Sequence, residues 1–209
     1  MKRIHIRSNT VKNEDQNPHF IGAWNLEDDD LCNEIINFFE ENKNLQRDGV
    51  SGSGKNLEIK KTTDIVVNAN DIKNEKFKCL NKYINNLFES FKDYQNQWPF
   101  LKSIVKEVHI GKFNIQKYSP GGHFAKVHTE RSSISSSHRL FAWMTYLNTV
   151  EDGGTTHFSH YDIEIKPEIG KTLIWPAEWT HAHNGKILNS GVKYIVTGWM
   201  HFPHNNIKN

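Results

Sequence analysis

His128-Thr129-Glu130 places an imidazole and a carboxylate one residue apart. Alternate residues of a β-strand point to the same face, so both side chains can reach a single ion. A third donor must come from a distant strand. Roughly fifty residues on, His181 and His183 stand two apart and share a strand face. Two imidazoles and one carboxylate on one side of a ferrous ion leave the other side open for a co-substrate and oxygen. An isolated His-x-Glu carries little weight, because the pattern is short and its ordinary fate is a solvated strand edge.

The neighbours of this pair give it weight. In order they are Tyr118-Ser119-Pro120-Gly121-Gly122, His128-x-Glu130, Arg139, Tyr146-Leu147-Asn148, Gly153-Gly154-Thr155-Thr156-His157-Phe158, Pro167-x-x-Gly170, His183, Gly191-x-Lys193-Tyr194 and Trp199. The set resembles the catalytic domain of the 2-oxoglutarate-dependent Fe(II) dioxygenases, in particular the prolyl 4-hydroxylase-like branch. The resemblance covers about residues 105–202, roughly half the chain.

The resemblance implies roles for particular residues. It makes His128, Glu130 and His183 the metal ligands and the catalytic centre, with His183 preferred over His181 because Lys193 follows it at the family's spacing. Lys193 would anchor the far carboxylate of 2-oxoglutarate, and a buried cation needs such an anionic partner. Tyr118 and Tyr146 would donate hydrogen bonds to the co-substrate. Thr197 and Trp199 share a strand face with Lys193 and would line its pocket. Arg139 falls where the family has an arginine near its peptide groove. The chain departs from the family at Glu130, where aspartate is usual; the added methylene moves the carboxylate and leaves the metal preference open.

The activity so implied is hydroxylation of an unactivated C–H, with 2-oxoglutarate converted to succinate and carbon dioxide. The cofactors are Fe(II), 2-oxoglutarate as co-substrate and O2, with ascorbate as a candidate for keeping the iron ferrous. A prolyl residue of a peptide or protein is the expected substrate, and a free amino acid or other small molecule is the alternative. Two rivals remain: a non-catalytic jelly-roll module that binds a metal or ligand, and a cupin-type metal enzyme that does not use 2-oxoglutarate.

Bulk properties narrow the field. The 209 residues suit one globular domain. Lys+Arg and Asp+Glu nearly balance, for a net charge of +2, so no strong electrostatic footprint for nucleic acid is present. A mean hydropathy of −0.68 and the lack of a long apolar run argue against a membrane span. Met1-Lys2-Arg3-Ile4-His5 lacks the apolar core of a signal peptide. Cys32 and Cys79 sit in helical patterns and read as reduced thiols, so a cytoplasmic setting is expected. Ten of the twelve histidines lie between His109 and His204, so most must be spectators.

The elements that would hold the site follow from periodicity. Residues 1–104 read as an N-terminal helical flank, 105–202 as a jelly-roll core and 203–209 as a tail. Asp28-Asp29-Asp30 caps a helix whose stripe is Leu31, Ile35, Phe38 and Phe39. Phe77, Leu80, Ile84, Leu87, Phe88 and Phe91 mark a second, and both stripes are expected to pack on a sheet. Residues 45–63, rich in Gly, Ser and Lys, read as a mobile loop. Strands are expected at Phe113–Tyr118, His123–His128, Phe141–Asn148, Thr156–Phe158, Ile163–Ile165, Thr172–Trp175 and Lys193–His201, with turns at Pro120-Gly121-Gly122 and Asp152-Gly153-Gly154. The serine-rich segment 131–138 lies where a lid could order over substrate. The fold class is mainly β: a double-stranded β-helix (jelly roll) with helices on the outer face of one sheet.

Overall fold

A computed structural model describes residues 1–6, 18–52 and 54–203. Its strands are β1 (Lys2–Ile4), β2 (Gly22–Asn25), β3 (Arg47–Asp48), β4 (Lys60–Lys61), β5 (Thr63–Val67), β6 (His109–Ile110), β7 (Phe113–Tyr118), β8 (His123–His128), β9 (Arg139–Tyr146), β10 (Thr156–Phe158), β11 (Ile163–Ile165), β12 (Lys171–Pro176), β13 (His183–Gly185) and β14 (Lys193–His201). The helices are α1 (Asp29–Glu41), α2 (Lys78–Gln97) and α3 (Pro99–Ile104). The strands form two antiparallel sheets. The larger runs β1-β2-β12-β9-β14-β7-β5-β3, with β6 pairing β14, and the smaller runs β11-β10-β13-β8-β4. This is the expected jelly roll.

Period-two alternation divides the strands between two cores. On β9, Phe141 and Trp143 face α1 and α2, joining Leu31, Ile35, Phe39, Leu80, Leu87 and Phe91. Ala142, Met144 and Tyr146 face the other way, between the sheets, with Phe158, Leu173, Trp175 and Ile195. Asp28 caps α1 by accepting from the Leu31 amide at 3.1 Å. The Tyr83 hydroxyl of α2 meets Thr145 at 2.8 Å, and Thr145 meets Thr172 at 2.7 Å, so a short hydroxyl chain pins the helix to the sheet.

The N-terminal third is more than a helical flank. β1 and β2 extend one edge of the larger sheet, β5 and β3 the other, and β4 joins the smaller sheet. Residues 45–63 are not all loop, because β3 and β4 lie within them. The reason is burial: Lys60 is 4 % exposed and ion-paired with Asp64 at 2.7 Å, so a lysine that reads as solvated is inside. Residues 204–209 of the expected tail lie outside the described residues. No described helix is long and apolar enough to cross a membrane.

Candidate metal and co-substrate site

β8 and β13 are neighbours in the smaller sheet, and His183 is the register partner of His128. Glu130 follows β8 by two residues, on the face of His128. One donor atom from each of the three lies within 4.8 Å of the others. His183 Nε2 is 3.3 Å and His128 Nε2 3.7 Å from the same oxygen, Glu130 Oε1. His181, the other candidate, points away: its Nε2 contacts the His19 carbonyl at 2.9 Å.

Both imidazoles are oriented from behind. His128 Nδ1 donates to the Lys126 carbonyl and His183 Nδ1 to the His181 carbonyl, each at 2.9 Å. A carbonyl only accepts, so the proton sits on Nδ1 and the Nε2 lone pair is left for a metal. Burial pushes the His128 pKa down to about 4, assisted by the nearby His183. Burial alone would raise the Glu130 carboxyl, but the neighbouring His183 and His128 and the Trp199 indole N–H together hold it below the usual range. Both groups are therefore in their ligating forms at neutral pH. Two imidazole nitrogens and a hard carboxylate oxygen converging on one point fit a ferrous ion.

The triad lines a cavity of about 580 Å³ that opens to solvent. Lys193, at its inner end, is 2 % exposed. Its Nζ donates to the Gly154 carbonyl at 2.6 Å and sits 4.2 Å from the centre of the Tyr118 ring. No carboxylate among the described residues pairs with it, and burial lowers its pKa to about 7. An unpaired buried cation in a cavity shared with a metal triad fits an incoming dicarboxylate. Gly154 makes the approach possible: its φ is +67°, and a Cβ there would lie 3.3 Å from Lys193 Cδ.

The other expected residues are arranged as follows. Tyr118 lines the cavity, but its hydroxyl donates to Gln116 Oε1 at 2.9 Å. Tyr146 lies one layer back and donates to Thr156 Oγ1 at 2.6 Å. Thr156 faces the cavity with its own proton free to donate forward. Thr197 lines the cavity while donating to the Trp143 carbonyl at 2.9 Å. Trp199 donates to Glu130 Oε2 at 2.6 Å, and the Arg139 guanidinium stacks on its ring at 3.7 Å.

Sequence reasoning passed over Thr156, Asn114, Gln116 and Lys60, all of which line the cavity. Alternation would have found the first three, since Asn114 and Gln116 share the face of Tyr118, and Thr156 that of Phe158. The serine segment 131–138 also lines it, and part of it is an ordered turn. Ser133 and Ser136 form a capping box around the turn Ile134–Ser136, and Ser136 accepts from the amides of Ser132 and Ser133, each at 3.1 Å.

Comparison with known proteins agrees with this geometry. The pattern of the 2OG-Fe(II) oxygenase superfamily matches residues 113–201. No curated protein sequence matches the chain. Among solved structures, the viral collagen prolyl hydroxylase of Paramecium bursaria Chlorella virus-1, in its 2OG complex, superposes with a TM-score of 0.64 at 16 % identity, over 90 % of this chain and 98 % of that one. A Pseudomonas putida prolyl-4-hydroxylase gives 0.67 at 14 %, over 91 % and 96 %. A Trichoplax adhaerens prolyl hydroxylase, in complex with a peptide fragment of the hypoxia inducible factor oxygen degradation domain, gives 0.67 at 14 %, over 93 % and 88 %. At these identities the likeness speaks for the fold.

Proposed function

We propose that this chain, whose residues 113–201 match the 2OG-Fe(II) oxygenase superfamily, is a 2-oxoglutarate-dependent dioxygenase that hydroxylates a prolyl residue of a peptide or protein. The observation that carries the reading is one cavity holding the His128, Glu130 and His183 donors together with the buried, acid-free Lys193. His128, Glu130 and His183 would hold Fe(II). Lys193, with Thr156, would receive the far carboxylate of 2-oxoglutarate.

Held by these residues, a ferrous ion would supply oxygen activation coupled to decarboxylation of 2-oxoglutarate to succinate and carbon dioxide, and so oxidation of a C–H that no side chain could attack. The protein supplies orientation. The Lys126 and His181 carbonyls aim the two imidazoles, and Lys193 fixes the dicarboxylate's reach toward the triad. Phe158 and Trp175 pack beside His183 at ring distances of 5.4 and 5.1 Å and exclude water from that side. The cavity mouth carries exposed residues of two loops, Val50 and Ser133 among them, which suits an extended substrate. The Trichoplax relative, solved with a peptide, supports the same reading. Ascorbate is the candidate reductant between turnovers.

Anaerobic titration of the Fe(II)-loaded chain with 2-oxoglutarate tests the site through the weak visible charge-transfer band of the chelate. The band is expected in the wild type and lost in Lys193→Ala at the same ligand concentration. Bound iron without a band would remove the co-substrate assignment. Proline-containing peptides and free proline, analysed by mass spectrometry, then test the substrate. Oxygen gained by the free amino acid alone would overturn the peptide reading.

A further inference from the structure

The departure at position 130 has a structural counterpart. The two oxygens of Glu130 face different ways: Oε1 looks toward His183 Nε2 and His128 Nε2, at 3.3 and 3.7 Å. Oε2 looks outward and accepts from Trp199 Nε1 at 2.6 Å, a short hydrogen bond to a charged acceptor. Arg139 closes the group from a third side. Its Nη1 donates to the Glu130 backbone carbonyl at 2.8 Å, and its guanidinium covers the Trp199 ring. Arg139 Nη1 stands 3.8 Å from Oε2, beyond hydrogen-bond length, so the indole is the direct partner of that oxygen.

We infer that Trp199 is a positioning residue that holds the outer oxygen of Glu130 and so makes the longer carboxylate present a single oxygen to the metal. Glutamate has one more rotatable bond than aspartate, and unrestrained it could swing or chelate through both oxygens. The indole N–H removes that freedom, since it is a donor only and its ring is clamped under Arg139. An aspartate at 130 is shorter by one C–C bond, about 1.5 Å, and cannot present one oxygen to the histidines while the other reaches the indole. The contact is thus tied to the glutamate. Outer partners of metal ligands typically contribute 10–100-fold to affinity, which sets the expected size. The inference rests on reading the triad as a metal site, but the contact itself can be tested without metal.

Two measurements decide it. In the metal-free chain, one of the six tryptophan indole N–H resonances is expected far downfield and absent from Trp199→Phe. That resonance should move toward the free-indole position in Glu130→Asp. If no indole resonance moves in Glu130→Asp, the inference falls, and this readout holds even where Trp199→Phe does not fold. Fe(II) affinity is then measured anaerobically by chelator competition. Trp199→Phe should weaken binding roughly 10–100-fold with glutamate at 130, and less than about threefold with aspartate there. Equal losses in both backgrounds would reduce Trp199 to generic packing. A wild-type chain that binds no Fe(II) would instead overturn the metal reading of the triad, while the resonance shift still reports the contact.

Discussion

The proposed role of Lys193 makes a prediction: co-substrate binding should depend on pH, in a direction set by the burial of its amine. In the free protein its pKa is lowered to about 7 by burial, with no carboxylate among the described residues paired with it. A bound dicarboxylate favours the charged ammonium and raises that pKa. Below pH 7 the lysine is protonated in both states, and 2-oxoglutarate affinity should be flat. Above pH 7 the free protein has lost the proton and binding must recover it, so the association constant should fall about tenfold per pH unit. At pH 8.5 the loss is about thirtyfold, or about 2 kcal/mol. Calorimetry of 2-oxoglutarate binding to the anaerobic Fe(II)-loaded chain, in two buffers of different ionisation enthalpy, measures both quantities. Proton uptake should approach one per site at pH 8.5 and zero at pH 6. Lys193→Met should bind weakly at every pH, with no uptake from this group. A wild-type affinity that is level from pH 6.5 to 9, with no buffer-dependent heat, would refute the assignment.

Replacing either imidazole, as His128→Ala or His183→Ala, should abolish Fe(II)-dependent succinate formation while the far-UV circular dichroism stays native; retained turnover in either would remove that ligand. Lys60→Met leaves the Asp64 carboxylate buried, hydrogen-bonded to Thr62 and Gln116 but without a cation among the described residues, and should cost about 3–5 kcal/mol in urea unfolding. The double variant Lys60→Met/Asp64→Leu should recover most of that loss. Gly198→Ala places a Cβ 2.6 Å from Trp143 Cζ2 and 2.7 Å from Phe113 Cβ, so overpacking should lower the urea midpoint by about 1–3 kcal/mol equivalent.

What was legible in the sequence was what strong local rules govern. β10, β11 and β14 begin and end where alternation and Gly or Asp turns put them, and Asp28 caps α1 as its position suggested. The strands before residue 105 were hidden for different reasons. β3 and β4 are two residues each, too short for any period, and Lys60-Lys61 has the composition of a loop. Lys60 is inside because Asp64, four residues on, neutralises it, and only the folded chain shows that pairing. At the site, the spacing of His128, Glu130 and His183 was legible, as was the special character of Lys193. Hydrogen-bond partners within the protein were not: the Tyr118 hydroxyl donates to Gln116 and the Tyr146 hydroxyl to Thr156. Sequence alternation assigns a side chain to a face but leaves its hydroxyl rotor undetermined.

The register of β13 against β8 has a consequence for how the chain reaches its working form. The two histidines face each other across one ladder, yet they come from positions 128 and 183, so nothing assembles until a long stretch of chain has closed. A slip of one residue along that ladder would turn His183 to the opposite face and leave a well-formed sheet with no centre. An ion that bridges the pair therefore selects the correct pairing over its neighbours. Because it binds the folded chain in preference to the unfolded one, iron at a hundred times its dissociation constant would add about 2.7 kcal/mol of stability. Scarcity of ferrous iron would then lower not only the rate per molecule but the number of intact molecules, through proteolysis of the unfolded fraction.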